Sequence, residues 1–317
     1  MKLAVAAALA MTVSAPALAA GSLPTDVVPV LYDIAVTPNA QAMTFTGTET
    51  VTVDVKAATR TITLNAADLD VTSATVDGKA VRFALDKDKQ QLVLTLPAAA
   101  TVGRHTVGFA WSGKINQSAA GLFAIDYTNQ DGSKARMLAT QFEAPDARRF
   151  APMWDEPAFK AKFKLKAVVP AGQLGISNMP ATSVTKQANG TQLYSFAETP
   201  VMSSYLLYLG MGDLDRKTVQ AGNVEIGVVT RRGVADQGDY ALAQAKRLLG
   251  YYNSYFGTPY PLPKMDMIAG PGSSQFFGAM ENWGAIFYFE PELLFDPKRA
   301  TESGRQRIFT VVAHEMA

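Results

Sequence analysis

The chain contains two histidines and no cysteine. Any metal held by its side chains must therefore use His, Asp or Glu, and zinc bound by thiolates is excluded. His314 stands in Val311-Val312-Ala313-His314-Glu315-Met316-Ala317, where the sequence ends. His-Glu on a helix is the first half of H-E-x-x-H. In that pattern two His at i and i+4 share a helix face and hold one Zn²⁺, while the Glu points at metal-bound water as a general base. The position of the second His falls just after Ala317. Taken alone, the dipeptide is more often a solvated helical pair than a metal site. His105 sits in a strand-like stretch and reads as an ordinary side chain.

Upstream lies Phe277-Gly278-Ala279-Met280-Glu281-Asn282-Trp283-Gly284. Glycine allows another backbone to approach closely, and a carboxylate at Glu281 could pair with a substrate ammonium. Without further context the segment also reads as a Gly-rich turn with a surface Glu. A third stretch is dense in charge: Asp146, Arg148, Arg149, Asp155, Glu156 and Lys160. Opposite charges spaced this closely favour a structural ion-pair network near an interdomain seam over direct catalysis.

These residues need a scaffold, and hydrophobic periodicity supplies one. From about Leu31 to Gly212 the pattern is mostly period two, as in Val51, Val53 and Val55 or Leu92, Leu94 and Leu96. Many short strands with one apolar face predict an antiparallel β-sandwich or saddle. The pattern weakens around Asp213 to Gly222, which places a domain boundary near residue 215. Beyond it the sequence predicts a strand over Val224 to Thr230, a helix over Asp239 to Phe256 and a strand over Met265 to Ala269. A last helix runs over Arg305 to Ala317, capped by Thr301 or Ser303. The chain thus divides into an export signal at 1–20, a mainly β domain at 21–215, and the start of an α+β domain at 216–317.

A length of 317 residues fits about two domains. Hydrophobic residues make up 48% and charged residues 18%, which indicates a globular chain. The net charge of +1 offers neither nucleic acid nor an anionic membrane a basic excess. Lys2, the apolar run Leu3 to Val13 and Ala17-Leu18-Ala19 have the form of a signal peptide cleaved near Ala19 or Ala20. That implies export to the periplasm or the extracellular space. The apolar run is too short for a stable membrane anchor.

With these segments together, the chain resembles the M1 family of zinc aminopeptidases. Gly278-Ala279-Met280-Glu281-Asn282 followed by His314-Glu315 matches the family's G-A-M-E-N and H-E-x-x-H signature. Gln141-Phe142-Glu143, Asp146 to Arg149 and Asp155 to Ala161 resemble its block in the N-terminal β-domain. Ser177 to Pro180 and Thr199 to Leu206 resemble later strands of that domain. The resemblance implies a β saddle followed by the truncated start of a thermolysin-like α+β catalytic domain.

It also implies roles. Glu281 and Glu143 would bind the free α-amine of a peptide, which selects exopeptidase over endopeptidase activity. Gly278 and Ala279 would pair with the substrate backbone. Met280 and Gln141 would line the first side-chain pocket, and Asn282 would orient the loop. His314 would be the first Zn²⁺ ligand and Glu315 the general base, with the other ligands beyond Ala317. On this reading the chain is a fragment, inactive by itself, whose second domain exposes apolar stripes. A modified task such as epoxide hydrolysis fits the motifs less well. The alternative is a complete, non-catalytic β-domain binding protein. Without the resemblance, Glu143 reads as a salt-bridge partner of an Arg such as Arg148.

Overall fold

The computed structural model describes residues 22–274, 277–298 and 301–317. The predicted signal segment lies outside them. Strand Thr44–Val55 shows how alternation builds the first domain: Phe45, Gly47, Glu49, Val51, Val53 and Val55 are buried, and the threonines between them face outward or sit half-buried. It pairs antiparallel with Val27–Asn39 on one side and Gly103–Lys114 on the other. Together with Ala181–Lys186, Thr191–Phe196, Lys162–Pro170, Leu69–Val76 and Lys79–Ala80 these strands make an eight-stranded sheet. Within that sheet Val27–Asn39 runs parallel to Lys162–Pro170. A three-stranded sheet of Thr59–Asn65, Gln91–Ala100 and Arg82–Asp86 shares the same core, where Ile62, Leu64, Leu92 and Leu94 meet Val51, Val53 and Trp111.

A four-stranded sheet, in the order Leu174–Ser177, Leu209–Gly212, Lys134–Gln141 and Gly121–Thr128, stands at the border of the second domain. Facing it is a five-stranded sheet in the order Leu214–Ala221, Val224–Arg231, Lys264–Gly270, Ala285–Phe289, Ala279–Met280. The three central strands of that sheet run parallel, and the two outer strands run antiparallel to their neighbours. Every residue of Lys264–Gly270 is buried, as expected of a strand covered on both faces. Its side chains divide by parity. Met265 and Met267 meet helix Asp239–Tyr255 through Leu242, Ala245 and Leu249, and helix Glu302–Met316 through Ile308 and Val312. Ile268 turns the other way, joining Val229, Met280 and Phe287 against Phe123, Met137, Ile176 and Tyr208 of the four-stranded sheet. An apolar seam therefore joins the two domains and fixes residues from each relative to the other.

The mainly β fold followed by an α+β unit is as the alternation predicts. Among the described residues no helix is long and apolar enough to cross a membrane. The last helix begins at Glu302, one turn ahead of Arg305, because the Thr301 side chain accepts a hydrogen bond from the Gly304 N–H at 3.2 Å. Large apolar side chains do reach the surface of the second domain at Tyr251, Tyr255, Phe256 and Phe309.

Candidate functional site

The segment Gly278 to Gly284 forms the open edge of the five-stranded sheet and the turn that follows it. Ala279 and Met280 pair with Tyr288 and Phe287, and the Phe289 N–H donates to the Gly278 carbonyl at 3.0 Å. No strand covers the other side of Ala279–Met280 among the described residues, so its backbone can accept an added extended chain. Met280 points into the interdomain seam and is fully buried there.

The turn is clamped from both domains. Asn178 Nδ2 donates to the Trp283 carbonyl at 2.8 Å and to the Leu206 carbonyl at 2.7 Å, while the Tyr208 N–H donates to Asn178 Oδ1 at 2.8 Å. Asn282 is buried and donates from Nδ2 to the Leu206 and Tyr205 carbonyls at 3.4 and 3.5 Å. From behind, the Lys264 ammonium donates to the Gly284 carbonyl at 2.5 Å and pairs with Asp266 at 2.9 Å. Three stretches far apart in sequence, 177–180, 199–206 and 278–284, thus meet in one hydrogen-bonded joint. Buried amide groups satisfied in this way hold one geometry.

Glu143 is presented from the other domain. Strand Lys134–Gln141 ends at buried Gln141, and Phe142 anchors the chain in the β core. Glu143 then emerges exposed. The turn after it is held by a buried pair: Arg148 Nε and its backbone N–H donate to Asp155 Oδ2 at 3.0 and 3.1 Å. Asp155 Oδ1 accepts from Ser204 Oγ at 2.7 Å, and its N–H donates to Asn65 Oδ1 at 3.1 Å. Arg148 thus pairs with Asp155 and not with Glu143. The charge-dense block ties the Glu143 turn to the segment that carries Tyr205.

Glu281 and Glu315 line one cleft, and Glu143 lies within electrostatic reach of Glu315 and Tyr205. Glu315, half-buried on helix Glu302–Met316, has its carboxyl pushed up to about 7, first by burial and then by the negative charges of Glu281 and Glu143. Tyr205 donates its hydroxyl to Glu281 Oε1 at 3.3 Å. Its phenol is raised by burial, by the Glu281 charge and hydrogen bond, and by Glu143. Three carboxylates from positions 143, 281 and 315 therefore share one field, and among the described residues no ion pair neutralises any of them. A cleft of about 360 Å³ opens beside them, walled by Glu281, Trp283, Tyr260, Ile286, Glu315 and Met316.

Gln141 lies at the end of its strand with its side-chain oxygen buried and without a partner. His314 is exposed next to Glu315. Among the described residues no three His, Asp or Glu side chains come together as a metal site. The sequence did not single out Tyr205, Lys264 or Asn178 as parts of this site. Tyr205 and Asn178 lay within segments already of interest, but their hydrogen bonds to the turn exist only after the seam closes.

The Peptidase M1 N-terminal domain family matches residues 28–206, and the Peptidase family M1 domain matches residues 240–317. The chain is 45% identical over 300 residues to Aminopeptidase N of Acetobacter pasteurianus, covering 94% of this chain and 84% of that protein. It is 39% identical to Aminopeptidase M1 of Arabidopsis thaliana and 35% identical to Endoplasmic reticulum aminopeptidase 1 of Homo sapiens, each over 93% of this chain. The chain spans only 34% and 32% of those two proteins' lengths.

Proposed function

The chain belongs to peptidase family M1, and from that premise we propose that it carries the amine-reading part of an aminopeptidase site. The observation that supports this best is the cleft that Glu281 and Glu315 line together, where burial first, and then the charges of Glu281 and Glu143, push the Glu315 carboxyl up to about 7. Like charges held close together favour a positive counter-charge between them. The protonated N-terminus of a peptide supplies one ammonium with three N–H donors, suited to charge-assisted bonds from two carboxylates. A blocked N-terminus has no such charge. The open edge at Ala279–Met280 is placed to take the peptide's extended backbone.

Glu315 is the candidate general base, since a carboxylate on the wall of the cleft can take a proton from water and return it to a leaving amine. Zinc is the cofactor that the family implies, and as a bound Lewis acid it would activate water. His314 offers one nitrogen donor, whereas a catalytic zinc centre uses three protein ligands. The described residues therefore do not make that centre by themselves. Export, suggested by the composition of residues 1–20, belongs to the same proposal.

The test is binding of a short peptide with a free N-terminus and of its acetylated twin, measured by calorimetry on the wild type, E143Q and E281Q. The free form should bind tighter, and either substitution should cut that preference by about tenfold or more, as expected for loss of a charge-assisted bond. Equal affinity of the wild type for both peptides would sink the proposal.

A further inference from the structure

We propose that Tyr205 is a positioning residue of the amine site: its hydroxyl holds one Glu281 oxygen so that the other is presented to the incoming ammonium. This rests on the amine reading above. The hydrogen bond runs from Tyr205 Oη to Glu281 Oε1 at 3.3 Å. A carboxylate only accepts, so the hydrogen belongs to the phenol. Burial and the two neighbouring carboxylates raise the phenol's titration further, which keeps it a donor throughout the neutral range.

The donor is also anchored. The Tyr205 ring packs at once against the β-domain core and the interdomain seam. Its backbone lies in the short turn Ser204–Leu206, which is fixed on one side by the Ser204 bond to Asp155 and on the other by Asn282 donating to the Tyr205 and Leu206 carbonyls. Glu281, in contrast, is exposed, and no cation pairs with it among the described residues. A long exposed carboxylate samples several rotamers, and ordering it on binding costs conformational entropy. A phenol held by two cores meets that ordering cost before the ligand arrives, which is preorganisation in its usual sense. The hydroxyl also makes Glu281's orientation depend on the first domain, because Tyr205 belongs to one domain and Glu281 to the other.

The experiment uses the full chain and three proteins: wild type, Y205F and E281Q. Dissociation constants are measured for a short Ala-rich peptide with a free N-terminus and for its acetylated twin, together with thermal unfolding midpoints. Y205F keeps the ring and its packing and removes only the donor. Its preference for the free amine should fall by about five- to tenfold, in keeping with the net worth of one intramolecular hydrogen bond. Its affinity for the acetylated peptide and its unfolding midpoint should stay at wild-type values, and E281Q should lose more of the preference than Y205F. Two results would overturn the assignment: a Y205F preference within about twofold of wild type, or equal weakening toward both peptides, which marks a packing role. A wild type without any preference overturns the amine reading itself and this proposal with it. That outcome is distinct from one in which only Y205F behaves like wild type.

Discussion

Replacing Lys264 with methionine should loosen the turn that carries Glu281 and leave the rest of the sheet in place. Lys264 is buried, and its ammonium makes two contacts, to the Gly284 carbonyl at 2.5 Å and to Asp266 at 2.9 Å. Removing one partner of a buried charge pair typically costs about 3–5 kcal/mol. Asp266 keeps Arg216 Nε at 2.8 Å, which puts the charge term at the low end. The Gly284 carbonyl retains the Asp266 N–H at 3.1 Å, so it is weakened without being orphaned. Against these losses stands relief of the ammonium's desolvation, which holds the lysine below its ordinary range despite Asp266. The net expectation is about 2–3 kcal/mol of local destabilisation, or roughly a 30- to 150-fold rise in the open population. Amide hydrogen exchange is the direct assay. Protection at Asn282, Ala285 and Asp266, whose N–H groups bond within or across this turn, should fall together, while the core of helix Asp239–Tyr255 keeps its rates. Unchanged exchange at those three amides would refute the claim that Lys264 holds the turn.

Two further substitutions probe the same architecture. Gly284 sits at φ +73, and a Cβ there would lie 2.3 Å from the Asn178 carbonyl oxygen. G284A should therefore cost at least about 2 kcal/mol more than G222A, where φ is +63 but no atom lies within 4 Å of the added carbon. Equal urea midpoints for the two variants would show that the Asn178 approach does not constrain the turn. Glu49 occupies an inward position of strand Thr44–Val55 with both carboxyl oxygens buried and unpartnered, and burial raises its carboxyl well above the ordinary range. Its unfolded form ionises at about 4.3. The stabilisation is thus fully present below that value and is lost as pH rises toward and through the folded value. E49Q should flatten the decline in urea midpoint between pH 5 and pH 8, and an unaltered slope would remove Glu49 as its cause.

The sequence by itself determined the local elements. Alternation marks Thr44–Val55 as a strand because a half-buried strand exposes every second residue, and the spacing of Leu242, Ala245 and Leu249 marks a helix because those positions share one face. It also offered Glu143, Glu281 and Glu315 as candidates, since they stand in recognisable segments. Local periodicity does not show which buried strand face meets which partner. Lys264–Gly270 is buried on both sides, and only the packed seam shows that Met267 serves the helices while Ile268 serves the other domain. The pairing of Arg148 with Asp155, which leaves Glu143 without an ion-pair partner among the described residues, was likewise undecided, because one-dimensional spacing permits either partner. The site's distinctive property, three carboxylates in one field with a phenol tied to one of them, was decided by tertiary structure alone. Coulomb energy and hydrogen bonding depend on distance in space, and residues 143, 205, 281 and 315 become neighbours only when the apolar seam brings the two domains together.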